Sequence, residues 1–107
     1  MSVESLPSRF ATAASRVPAW DEFHGPDSGD VNLPTRLFWS GSPSFSMDDP
    51  LERLALYTTL FDAGQREDIA RYINRDLLVH DWPQMRRLTS RELIGIWEKR
   101  LPALASA

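Results

Sequence analysis

The chain changes character at Asp48, Asp49 and Pro50. Of the 47 residues ahead of Asp48, 17 are Pro, Gly or Ser, a density that interrupts helices and sheet ladders too often for a regular packed unit. Beyond the break, the pattern is one of short, closely punctuated helices. The expected fold class is therefore mainly α: a small bundle of about four short helices over residues 48–107, preceded by a long extended or irregular N-terminal arm over residues 1–47 with at most one short strand.

Size sharpens this division. A unit of the 60 residues from 48 to 107 lies near the lower limit for an independent core, because burial at about 25 cal/mol per Å² nearly cancels ordering entropy of roughly 1.5 kcal/mol per residue. The two halves are expected to support each other or to lean on a partner, a second copy of the chain included. The chain has no cysteine, which excludes a disulfide framework, a thiolate metal site and a cysteine nucleophile, and fits a reducing cytoplasm. No apolar run approaches the roughly 18 residues of a membrane span, and no charged-then-apolar leader opens the chain. A net charge of −3 lacks the global basic footprint of a nucleic-acid binder.

The arm is irregular without being featureless. Phe10, Val17, Trp20, Phe23, Val31, Leu33, Leu37, Phe38, Trp39 and Phe45 give it far more apolar surface than a solvated linker carries. Ser8 to Arg16 suits two helical turns between Pro7 and Pro18, and its Arg and Ser content has some likeness to a transit peptide. Val31 to Gly41 reads as extended chain, and a single strand cannot satisfy its own ladder. Two readings stay open: the segment clasps the chain's own helices, or it adds to a sheet on another molecule. Trp20, Phe23, Leu33, Arg36, Leu37, Phe38 and Trp39 are the residues expected to bind a partner.

Helix punctuation is explicit in the second half. Asp49 caps a first helix, Pro50 takes its first position, Glu52 closes an acidic capping box and Gly64 stops it. Leu51, Leu54, Leu56, Tyr57, Leu60 and Phe61 leave that helix little polar surface, so it is expected to be central. A second helix runs from about Gln65 to Ile73. Asn74 caps a short third around Leu77, Leu78 and Trp82, which Pro83 is expected to end. For the last helix, Thr89 with Glu92 reads as a capping box and Leu88 with Leu93 as a hydrophobic staple, with Pro102 as the stop.

Residues with chemical potential are sparse. His80 and Asp81 are neighbours on a helix and so are not expected to face each other as an acid–base pair. His24 with Asp21, Glu22, Asp27 and Asp30 lacks the spacing of a calcium loop and reads as a solvated acidic turn. Phosphate loops, nucleophile elbows and zinc-binding helices are missing from the sequence, so no enzyme, cofactor or metal is expected. Residues 64–74 have some likeness to the opening of a helix-turn-helix, but the apolar stretch from Leu77 to Pro83 ill suits a recognition helix. Arg86, Arg87 and Arg91, with Lys99 and Arg100, form the basic set that nucleic-acid phosphates would meet.

Residues 33–41 (LPTRLFWSG), 47–57 (MDDPLERLALY) and 63–74 (AGQREDIARYIN) together resemble small actinobacterial proteins encoded beside AbiEii-type nucleotidyltransferase toxins. The likeness covers roughly residues 31 to 101. It implies an antitoxin-like or accessory role, in which the small protein binds a nucleotidyltransferase and restrains it. The sequence thus leads to a non-enzymatic protein-binding module, with a helix-turn-helix-like DNA-binding regulator as the rival.

Overall fold

The computed structural model describes residues 13–34, 36–37 and 44–107. The fold is mainly helical, a small bundle of four α-helices: α1 (Pro50–Ala63), α2 (Arg66–Tyr72), α3 (Arg75–Leu88) and α4 (Arg91–Arg100). Short 3-10 turns occur at Ala14–Arg16, Trp20–Glu22 and Pro102–Ser106. Two short strands, β1 (Asp30–Asn32) and β2 (Ser44–Ser46), pair antiparallel with Val31 opposite Phe45. The expectation of at most one strand is corrected by this pair: the start of the expected extended segment, Val31 and Asn32, finds its ladder partner within its own chain at Ser44–Ser46, while residues 38–41 of that segment lie outside the described residues. Gly29 at φ +81° turns the chain into β1, and its carbonyl accepts from Met47 N–H at 2.8 Å.

α1 begins as its sequence dictates. The Asp49 carboxylate accepts from Leu51 N–H at 2.9 Å, and Pro50 stands first in the helix, where no N–H is needed. Glu52 does not return to Asp49 as expected; it accepts from Ser46 N–H at 2.8 Å, so it ties α1 to β2 instead of closing a local box. α1 packs against β2, α2 and α3, which makes it the central helix. Leu56, Tyr57, Leu60 and Phe61 are fully buried, whereas Leu51 is turned to solvent.

Two expectations on the later helices are overturned. Pro83 does not end α3; it lies inside a continuous helix from Arg75 to Leu88. Proline removes one N–H, and the carbonyl four residues earlier belongs to exposed Val79, where water can meet it. Inward-facing Leu78, Trp82 and Met85, all fully buried, hold the helix together across that gap. The second correction is the α4 cap, which is Ser90, whose Oγ accepts from Leu93 N–H at 3.3 Å. Thr89 is used one step earlier: its N–H closes α3 on Met85 carbonyl at 3.0 Å, while its Oγ1 is buried without a partner among the described residues. Leu88 is exposed, so no staple forms.

The core does not stop at the break. Val17, Val31, Leu33, Leu37, Phe45 and Met47 from the arm join Leu56, Phe61, Ile73, Trp82, Trp97 and Leu104 in one buried cluster. The arm's backbone and side chains also finish the helices. A helix leaves its last four carbonyls unpaired. Arg16 donates to Phe61 carbonyl at 3.3 Å and Gly64 carbonyl at 2.8 Å at the end of α1. His24 N–H meets Ala70 carbonyl at 2.8 Å and Gly25 N–H meets Ile73 carbonyl at 3.1 Å at the end of α2. At seven residues α2 is too short to persist alone, so these bonds are part of why it forms.

Candidate functional site

Of the seven residues expected to bind a partner, the five that are described fall into three groups. Leu33 and Leu37 lie in the protein's own core, each less than a tenth exposed, and are not available as contacts. Trp20 and Phe23 are half-buried at the end of an internal aromatic column. Trp20 packs on Phe23 at 5.6 Å between ring centroids, Phe23 on Trp97 at 6.4 Å, and Trp97 stacks on Phe61 at 4.0 Å, with Trp82 alongside. Arg36 is the third group among the described residues, since its side chain stays 59% exposed while both terminal nitrogens bind Asp68. Phe38 and Trp39 lie outside the described residues, as do Phe10 and residues 8–12 of the expected N-terminal helix, of which the 3-10 turn Ala14–Arg16 is the described part.

Ion pairs place these groups. Asp68 sits in the first turn of α2, buried, accepting from Arg36 and from Gln65 N–H at 2.9 Å. The bidentate Arg36 contact holds its carboxyl below the usual carboxylate range. Glu22, at the end of the Trp20–Glu22 turn, takes two bonds from Arg66 at 3.0 and 2.6 Å, which lower its pKa. The acidic turn around His24 is thus tied into the fold: Glu22 is paired across to α2, and His24 lies with its ring Nδ1 2.9 Å from Glu22 carbonyl.

The most buried polar assembly escaped the sequence reading. Arg53 and Asp81 are almost wholly buried and bonded twice, Nε to Oδ2 at 2.6 Å and Nη2 to Oδ1 at 2.9 Å. Arg53 Nη1 adds a bond to Met47 carbonyl at 2.8 Å, linking the break to α3. The signal was present: Arg53 shares a helical stripe with Leu56, Tyr57 and Leu60, and Asp81 shares one with Leu78, Trp82 and Met85. His80 corrects a further expectation. Its Nδ1 lies 3.1 Å from Asp81 Oδ1, because Asp81 is drawn inward by Arg53 and His80 bends back over it. The imidazole is otherwise solvent-exposed, so the contact orients a surface histidine on a structural pair.

The basic set divides similarly. Arg86 is structural: it donates to Glu98 at 2.7 Å and to the carbonyls of Leu104 and Ala105, fastening the C-terminal turn. Glu98 also accepts from Trp82 indole N–H at 2.8 Å, and this bond, followed by that of Arg86, lowers its pKa. Arg87 and Arg91 are exposed, without side-chain partners among the described residues. The surface formed by the described residues includes two clefts of about 300 Å³. One borders Arg16, Asp62, Leu88, Thr89 and Ser90. The other borders Val17, Pro18, Arg66, Lys99, Arg100 and Leu101. Among the described residues no helix is long and apolar enough to cross a membrane.

In comparisons with known proteins, no family model matches the chain, and neither a curated protein nor a solved structure does.

Proposed function

We propose that this chain is a non-enzymatic protein-binding module, an antitoxin-like partner that occludes and restrains a cognate enzyme of the nucleotidyltransferase type. One observation carries the reading. The segment holding Phe38 and Trp39 starts and ends at anchored chain: Leu37 is in the core beside the Arg36–Asp68 pair, and Ser44 opens a strand paired to Asp30–Asn32. Binding elements set on a rigid scaffold lose less entropy on association, where ordering costs about 1–2 kcal/mol per backbone residue. In this reading the four helices are the scaffold, Phe38 and Trp39 are the anchors, and exposed Arg36 flanks them.

The test is co-expression of the full chain with a nucleotidyltransferase-type toxin, with growth and co-purification as readouts. Restored growth and a stable complex are expected for the native chain, and loss of both for Phe38→Ala/Trp39→Ala with an unchanged circular dichroism spectrum. An enzyme that is neither bound nor restrained, or a double variant that works as well as the native chain, refutes it. The arm cannot simply be deleted for this purpose, because Val17, Val31, Leu33, Leu37 and Phe45 complete the core.

The DNA-binding rival gains from α3, a full 14-residue helix with exposed His80, Gln84 and Arg87. It loses Arg86, which is engaged with Glu98. Duplex binding with a steep salt slope, abolished by Arg87→Ala/Arg91→Ala, is the outcome that would favour it.

A further inference from the structure

The cleft between the end of α1 and the start of α4 holds charges of both signs. Asp62 borders it from the last turn of α1, the negative end of a helix, where a carboxylate is disfavoured. It is exposed and has no hydrogen bond or ion pair among the described residues. Arg16 borders the same cleft and donates to the carbonyls of Phe61 and Gly64. It has no carboxylate partner among the described residues, so its Nε and one N–H on each terminal nitrogen are available. Ser90, the cap of α4, borders the cleft as well, which brings the positive end of a second helix to it. One carboxylate, one guanidinium and two helix ends of opposite sign, worth about half a charge each, leave the cleft polar and close to neutral.

We propose that this cleft binds a small zwitterion, a free aliphatic amino acid. A lone anion meets Asp62 there, a lone cation meets Arg16, and a chain of like charges is repelled by one of the two. A molecule with an ammonium and a carboxylate on one carbon satisfies both. The ammonium donates to Asp62 at the negative end of α1, and the carboxylate accepts from Arg16 and lies toward the start of α4. A volume of about 300 Å³ is the lower limit of small-molecule sites, which suits an amino acid and not a nucleotide. Leu88, 61% exposed on the border of the cleft, gives the ligand's side chain an apolar contact. The inference goes beyond protein binding, since none of these residues is among those assigned to the partner.

The experiment is isothermal titration calorimetry of the full chain with L-leucine at neutral pH. Saturable binding is expected, with isoamylamine, which lacks the carboxylate, and isocaproate, which lacks the ammonium, each binding at least about tenfold more weakly. Asp62→Asn is expected to weaken leucine binding about tenfold or more and to leave isocaproate bound no more weakly than before. Arg16→Gln is expected to weaken both. If loss of the Arg16 bonds to α1 unfolds that variant, Ser90→Asp reads the same end of the site: it keeps a helix cap, sets a negative charge beside the carboxylate and is expected to weaken leucine similarly. The control Lys99→Ala/Arg100→Ala, in the other cleft, is expected to change affinity less than about twofold. No saturable binding of leucine, isoamylamine or isocaproate bound as tightly as leucine, or equal losses in Asp62→Asn and the control overturn the proposal. Inorganic phosphate bound at these residues in preference to leucine overturns it in favour of an anion site. No partner protein enters the assay, so its outcome and that of the Phe38 and Trp39 test are independent.

Discussion

Gly25 is where the arm comes closest to the helices, and replacing it by alanine tests the docking most directly. A Cβ built there would stand 2.4 Å from Tyr72 carbonyl carbon, 2.5 Å from its oxygen and 2.5 Å from Ile73 nitrogen. All three are backbone atoms, so no rotamer change relieves the clash; the arm must lift away. Lifting removes three hydrogen bonds: His24 N–H to Ala70 carbonyl, Gly25 N–H to Ile73 carbonyl, and Asn74 Nδ2–H to Gly25 carbonyl. At about 1 kcal/mol each, the loss is about 3 kcal/mol. The alanine also stiffens the unfolded chain, returning about 0.4–1 kcal/mol, for a net destabilisation of about 2–3 kcal/mol. In a domain of this size that lowers Tm by roughly 8–24 °C. The same substitution elsewhere is the control. Gly95→Ala, in exposed α4 with open space around it, is expected to gain up to about 1 kcal/mol. Gly29→Ala, at φ +81° with nothing to strike, is expected to cost about 1 kcal/mol from backbone strain alone. Thermal unfolding of the three variants decides the matter, and a Gly25→Ala Tm within about 3 °C of the native value would refute the docking argument.

Three further predictions concern the polar framework. Ser90→Ala is expected to cost about 1 kcal/mol in denaturant titration, while Thr89→Val, which removes only an unpartnered hydroxyl, is expected to be neutral or stabilising; the reverse order would restore Thr89 as the cap. Arg53→Ala strands a buried Asp81 and is expected to cost about 3–5 kcal/mol, whereas Arg53→Met/Asp81→Leu recovers most of it; an additive double-mutant cycle would show that the pair does not act as one unit. Burial pushes the Tyr57 hydroxyl up to about 12 from an ordinary value of 10, so the folded state holds its proton longer than the unfolded state. Its contribution is fully present below pH 10 and is lost as pH rises to about 12, up to roughly 3 kcal/mol, a loss that Tyr57→Phe should abolish in chemical unfolding measured from pH 8 to 12; parallel curves for the two proteins would contradict it.

What can be read along the chain is whatever depends on neighbouring residues. The Asp49–Pro50 start of α1, its stop at Gly64 and the Asn74 cap of α3 are local backbone chemistry, and all occur at the expected residues. The centrality of α1 follows from an apolar surface too wide for one contact. Local rules mislead where the fold supplies a competing partner. Pro83 is a helix breaker by sequence, yet buried Leu78, Trp82 and Met85 carry α3 through it. Thr89 and Ser90 are equally good caps locally, and the end of α3 on Met85 decides between them.

The candidate site shows the same division. The apolar and aromatic content of the arm announces that it meets something, and composition alone cannot tell its own helices from another molecule. Tertiary structure separates the residues, sending Leu33 and Leu37 inward and leaving Arg36 at the surface on Asp68. The basic cleft and the Arg53–Asp81 pair join residues 28 to 83 positions apart, from Arg53 and Asp81 to Val17 and Arg100. The sequence by itself established a mainly α chain whose first helix starts at Asp49 and Pro50, because capping and periodicity act over a few residues. That the two parts share one core was decided by long-range packing: unpaired carbonyls at the ends of α1 and α2 need donors, and the arm supplies them from Arg16, His24 and Gly25.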